Sequence, residues 1–116
     1  MMPQPRRAAN PKNLNSLQLR TLAVLQLLAR DPAWSGPPDA AGDVAIRGLP
    51  QPHGDHFHIA GGVVSARDAS GLRNPNVLAA LARKGLLRAT AEGLVTLTAE
   101  GLAYDTGLGR LLQPSE

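Results

Sequence analysis

Proline and glycine are concentrated in one stretch of the chain, and this stretch limits where helices can form. Residues 32–54 contain nine of them: Pro32, Gly36, Pro37, Pro38, Gly42, Gly48, Pro50, Pro52 and Gly54. A helix cannot run through such a segment, because proline lacks an amide donor and glycine weakens helices. The sequence therefore predicts a helical start, an irregular middle and a second half that regains regular patterning near Val63.

The hydrophobic core has to be built almost entirely from aliphatic side chains. Hydrophobic residues make up 43% of the 116 residues but aromatic residues only 3%, namely Trp34, Phe57 and Tyr104. Leucine, valine and alanine favour packed helices over a β-sandwich, and the length suits one small domain. We therefore expect a mainly α fold with a small β-hairpin. The scarcity of aromatic rings also argues against binding of single-stranded nucleic acid by base stacking.

Several classes of protein are disfavoured by what the sequence lacks. There is no cysteine, which excludes disulfides, cysteine-bound zinc and thiol catalysis and is compatible with a reducing cytoplasm. No apolar run approaches the roughly 18 residues of a membrane span, and no apolar stretch follows Arg6 and Arg7 as in a secretory signal. We expect a cytoplasmic protein, and the excess of arginine over lysine suggests a bacterial source. The net charge of +3 permits an acidic partner such as nucleic acid.

The chain is expected to form a single domain over residues 14–112, between a disordered basic arm (1–13) and a short tail (113–116). Residues 15–30 predict a helix capped by Asn15 or Ser16, with leucines on more than one face. Such a helix needs cover on several sides, which favours a homodimer.

An insertion over residues 32–62 interrupts this domain. Within it, residues 44–47 and 56–59 alternate in polarity and predict two short strands, which could pair as a hairpin with residues 48–55 as the loop.

Capping signals organise the second half of the chain. Ser65 to Asp68 predicts a short helix that ends near Gly71 in a left-handed cap, and Asn74-Pro75 predicts the start of another helix that ends at Gly85. In this second helix we expect Val77, Leu78, Leu81 and Ala82 to face inward and Asn76, Ala79, Ala80, Arg83 and Lys84 to face outward. Residues 86–89 and 94–97 predict a tight hairpin around Glu92. Thr98 then caps a last helix that carries Leu102, Ala103 and, towards its end, Leu111 and Leu112.

Two motifs carry a resemblance to a known group of proteins. The segments 78–87 (LAALARKGLL) and 93–101 (GLVTLTAEG) contain L-x-x-L-x-x-K-G-L-L and V-x-L-T-x-x-G. Here the chain resembles the winged helix-turn-helix superfamily of bacterial regulators, including MarR-like and PadR-like proteins. The resemblance implies a winged helix-turn-helix fold in which the helix from Asn74 to Lys84 lies in the major groove of DNA.

A set of basic and polar residues then becomes the candidate DNA interface. Arg73, Asn74 and Asn76 stand where base edges are usually read, since arginine pairs with guanine and asparagine with adenine. Arg83, Lys84 and Arg88 are expected to hold phosphates, and Arg67 and the outward-facing Ala79 complete the set. The resulting hypothesis is non-catalytic binding of double-stranded DNA by a transcriptional regulator or DNA-associated factor.

Two alternatives remain open at this point. One is a protein–protein interaction module that docks through residues 32–62. The other is a metal-responsive regulator in which zinc is held by His53, Asp55, His56 and His58, although we expect an exposed polar hairpin face there and no cofactor. No nucleophile elbow, phosphate loop or metalloprotease motif is present, so we do not expect an enzyme.

Overall fold

The described part of the chain folds into three helices and two three-stranded antiparallel sheets. It comprises residues 9–51, 54–59, 61–90, 94–108 and 113–114 of a computed structural model. In chain order the elements are α1 (Ser16–Ala29), β1 (Val44–Ile46), β2 (His56–Ile59), β3 (Gly62–Ser65), α2 (Pro75–Arg83), β4 (Leu87–Ala89), β5 (Val95–Leu97), α3 (Ala99–Ala103) and β6 (Gln113–Pro114). The expectation of a mainly α, winged helix-turn-helix fold is therefore wrong. The helices hold only 14, 9 and 5 residues, and strands of two to four residues build both sheets.

The first sheet has the strand order β1-β5-β4. The hairpin expected directly after α2 is confirmed, because β4 and β5 pair antiparallel with Leu87 opposite Leu97. On its other side β5 pairs with β1, with Val44 also opposite Leu97. The expected pairing of residues 44–47 with 56–59 is thus wrong, because the partner of β1 lies about fifty positions further along the chain.

The second sheet has the order β2-β3-β6. Strand β2 lies within the insertion, β3 begins at its last residue, and β6 lies in the expected tail. Strands β2 and β3 form a hairpin in which Phe57 faces Val64 and His58 faces Val63. Gly61 has a φ of +80°, which suits the tight connection between them. Strand β6, in the expected tail, pairs with Gly62 and Val63.

Helix α1 lies at the centre of the molecule. Asn15, one of the two predicted caps, begins it in a capping box: its side chain accepts from the Gln18 amide, while the Gln18 side chain accepts from the Asn15 amide. Leu22, Val24, Leu25 and Leu28 are completely buried within one chain, and the only large hydrophobic side chain exposed among the described residues is Leu94. A second copy of the chain is therefore not needed to cover these side chains, and the homodimer stays a prediction. No helix in the described residues is long and apolar enough to cross a membrane.

The short helix expected after Ser65 is not formed. Residues 66–73 make consecutive turns, although the Ser65 hydroxyl does accept from the Asp68 amide at 3.1 Å as the capping pattern predicts. Gly71 is not in a left-handed conformation. Its role is close packing, because a Cβ atom at this position would collide with the Thr21 hydroxyl of α1. The turns thus lie directly against α1.

Polar contacts join the two ends of the fold. Residues 1–8 of the expected basic arm lie outside the described residues, whereas residues 9–13 form a hydrogen-bonded turn beside α3. The Tyr104 hydroxyl donates to Asn10 Oδ1 at 2.6 Å and accepts from the Lys12 amide at 3.1 Å. Helix α3 begins at its predicted cap, Thr98, and ends at Ala103, while Leu111 and Leu112 lie outside the described residues.

Candidate nucleic-acid interface

Helix α2 is positioned by signals at both of its ends. Asn74 Oδ1 accepts from the amides of Asn76 and Val77, and Pro75 occupies the first helical position, as predicted. Gly85, with a φ of +78°, allows the sharp exit into β4. Because its Oδ1 is used by the cap, Asn74 cannot offer both of its amide atoms to a base.

The inner face of α2 is wider than the sequence suggests. Val77 and Leu81 are buried as expected, and the helix packs against both α1 and β4. Ala80, expected to face outward, is 8% exposed, so this prediction is wrong. A small side chain suits this position because two elements approach the helix there.

The outer face of α2 carries Asn76, Ala79 and Arg83, all of them exposed. Their spacing of three and four residues places them on one stripe of the helix. Arg73 and Arg67 lie exposed in the turns that precede α2. Within the described residues, the guanidinium groups of Arg67, Arg73 and Arg83 form no hydrogen bond or ion pair. Three cations are therefore available around a stripe of small and polar side chains.

Two of the predicted phosphate contacts have partners inside the fold. Lys84 Nζ donates to the Lys12 carbonyl at 2.6 Å, and Arg88 Nη1 donates to Asp43 Oδ2 at 2.7 Å. These partners are 72 and 45 positions away, so no local pattern could have revealed them. Arg88 still keeps 61% of its side chain exposed.

Asp43 is the structural residue that sequence analysis did not single out. Its Oδ1 accepts from the Ala99 amide at 2.9 Å, while its backbone amide donates to Asp39 Oδ1. The hydrogen bonds from Arg88 and Ala99 hold the pKa of the Asp43 carboxyl below its usual value of 3.8. The carboxylate therefore stays charged and fixes β4 and the start of α3 beside β1.

The tip of the β4–β5 hairpin, residues 91–93 with Glu92, lies outside the described residues. Next to it, Leu94 is 48% exposed. The described part of this hairpin thus offers Arg88 as its single cationic side chain.

The histidines lie on a different element from the arginines. His56 and His58 share the face of β2 opposite to buried Phe57 and Ile59, as predicted, and their Nε2 atoms are 3.2 Å apart. Asp55 Oδ1 lies 3.3 Å from His56 Nδ1, while His53 lies outside the described residues. Among the residues that the structure describes, no group of three or more histidine or acidic side chains is arranged to hold a metal ion.

No family model, curated protein or solved structure matches this chain. The resemblance to winged helix-turn-helix regulators therefore rests on the residues of the two motifs alone. The structural feature that bears on function is the exposed surface of α2 and the turns before it.

Proposed function

We propose that this protein binds double-stranded DNA without catalysing a reaction, through the outer stripe of α2 and the arginines around it. The observation that carries the proposal is that the exposed guanidinium groups of Arg67, Arg73 and Arg83, in α2 and the turns before it, have no partner among the described residues. Exposed, unpaired arginines on one segment are the typical footprint of phosphate binding.

The order of these residues along α2 suggests how they would divide the work. Asn76 lies in the first turn of the helix and Arg73 just before it, where a helix entering the major groove meets base edges. Asparagine can bond adenine and arginine can bond guanine with two hydrogen bonds each. Ala79, one turn further on, is small enough to let the helix approach a thymine methyl group.

Arg67 lies in the turns before α2, and Arg83 is the last residue of α2 and of its exposed stripe. We assign them to phosphates on either side of the groove, because phosphate contacts set the position of a helix without reading sequence. Arg88 contributes less in this proposal, since Asp43 already neutralises part of its charge.

The proposal includes that this DNA binding regulates transcription and takes place in the cytoplasm. A homodimer would place two α2 helices on successive half-sites of a palindrome. The proposal does not require a second copy, however, because the leucines of α1 are buried or partly buried within a single chain.

The experiment that tests the proposal is an anisotropy titration of the chain into a labelled random-sequence duplex at about 50 and 200 mM salt. We expect binding that weakens steeply with salt, with a slope of about 0.9 per phosphate contact. Arg67→Ala and Arg83→Ala should each lower that slope by about one contact, whereas Arg73→Ala, which removes a base contact, should mainly weaken binding to a selected site.

Arg47→Ala is the matched control. Arg47 is exposed and follows β1, at the opposite edge of the first sheet from β4, against which α2 packs. Its removal should leave the slope unchanged. Equal effects of all four substitutions would show a diffuse charge effect, and no binding at 50 mM salt would contradict the proposal in favour of a protein-docking module.

A further inference from the structure

The two neighbouring imidazoles on β2 have the spacing of ligands that share one ion. Strand geometry places His56 and His58 on the same face, and their rings meet edge to face at 77° with centroids 4.9 Å apart. Their Nε2 atoms are 3.2 Å apart. Two nitrogens bound at about 2.0–2.1 Å to one ion are about 2.9 Å apart at a right angle and about 3.3 Å apart at the tetrahedral angle.

We propose that His56 and His58 chelate one divalent first-row transition metal ion through their Nε2 atoms. The observed separation already lies within the required range; the two Nε2 atoms share a hydrogen bond, and the ion would take the place of its proton. Imidazole nitrogens select zinc, nickel and copper ions over magnesium and calcium, which prefer oxygen.

The neighbouring carboxylate supports this assignment. Asp55 Oδ1 lies 3.3 Å from His56 Nδ1, which is the arrangement in which a carboxylate accepts the proton of the nitrogen that does not bind the metal. This contact favours the His56 tautomer with its proton on Nδ1, so His58 is the donor in the hydrogen bond between the two Nε2 atoms and has to shift its proton to Nδ1 when the ion binds.

Space and charge beside His58 also suit a hydrated cation. His58 lines an open cleft of about 300 Å³, and the same cleft is lined by Asp31 and Trp34. The carboxylate of Asp31 makes the cleft more favourable for a cation. Because the described residues supply two nitrogen ligands and no third, water completes the coordination shell and the ion exchanges readily.

The test is a calorimetric titration of nickel chloride into the complete, untagged chain, with circular dichroism to confirm that each variant is folded. We expect one ion per chain. His56→Gln and His58→Gln should each weaken the Kd about 100-fold, because each removes one arm of a two-point attachment. Magnesium chloride should give no binding heat, since Mg²⁺ prefers oxygen ligands.

His53→Gln is the internal control, because the chain has three histidines and the proposal uses two. Its Kd should equal that of the unchanged protein. An equal loss in all three variants would replace the two-ligand site by a three-histidine site, and absence of nickel binding in the unchanged protein would overturn the proposal. Neither outcome depends on whether the chain binds DNA.

Discussion

Arg88 Nη1 and Asp43 Oδ2 are 2.7 Å apart and join the start of β1 to β4 across the first sheet. The Asp43 side chain is only 11% exposed, and its other oxygen accepts from the amide of Ala99, the first residue of α3. One carboxylate therefore binds both Arg88 of β4 and the N-terminus of α3, where a negative charge is favourable.

We predict that Asp43→Asn destabilises the protein more at pH 7 than at pH 3. The pKa of Asp43 is lowered on folding from its usual value of 3.8, so its contribution is fully present above that value. The contribution is lost as the pH falls through the still lower folded-state pKa. Urea unfolding at the two pH values measures the difference.

Arg88→Gln provides the second half of this comparison. Because the two side chains contact each other, the double variant should be less destabilised than the sum of the single variants. Additive losses at pH 7, or a loss for Asp43→Asn that is as large at pH 3, would show that the ion pair does not account for the lowered pKa.

Gly101→Ala should destabilise the fold by about 1–3 kcal/mol, the range of overpacked cores. A Cβ atom at this position would collide with the carbonyl oxygen of Leu86, which is backbone and cannot move aside. Gly48→Ala is the control, since nothing lies within 4 Å of its Cβ position. It should change the free energy of unfolding by less than about 0.5 kcal/mol. Similar losses in both variants by chemical denaturation would contradict the packing argument.

Tyr104→Phe should reduce stability by about 1 kcal/mol, the usual net value of a hydrogen bond. The lost hydroxyl contacts Asn10 Oδ1 and the Lys12 amide, so the effect should be concentrated at the opening segment. Hydrogen exchange read by mass spectrometry should show faster exchange over residues 9–14 and little change in α1. Unchanged exchange in that segment would mean that other contacts hold it.

Asn76→Ala and Arg83→Ala should affect DNA binding in different ways. If Asn76 reads a base, its loss should reduce the preference for a selected site by about 1–3 kcal/mol and leave random duplexes nearly unaffected. Arg83→Ala should weaken all duplexes alike. Binding constants for a selected and a random duplex distinguish these results, and identical profiles for the two variants would refute the assigned roles.

Signals between near neighbours were readable from the sequence. Asn15, the Asn74-Pro75 pair and Thr98 each act within three residues of their partners, and each begins a helix as predicted. The β4–β5 hairpin is equally local. In each of these helices, the capping side chain bonds a backbone amide two or three residues further along the chain.

Features that depend on distant partners could not be read in the same way. A strand of three residues such as β1 carries too little pattern to indicate its partner, and Ala45 pairs with Thr96. The aliphatic composition predicts helices, yet aliphatic side chains also fill the buried faces of strands, as Val64 and Ile59 do. The turns at 66–73 lie where a short helix was expected, and the close contact of Gly71 with Thr21, fifty positions earlier, is another feature without a local signal.

The contact between Asn10 and Tyr104 also has a kinetic meaning. It closes a loop of 94 positions, and closing such a loop costs conformational entropy that only the rest of the folded chain can offset. We expect this hydrogen bond to form late in folding and to break early in unfolding. The opening segment and α3 would then fray together as one cooperative unit rather than as two independent ends.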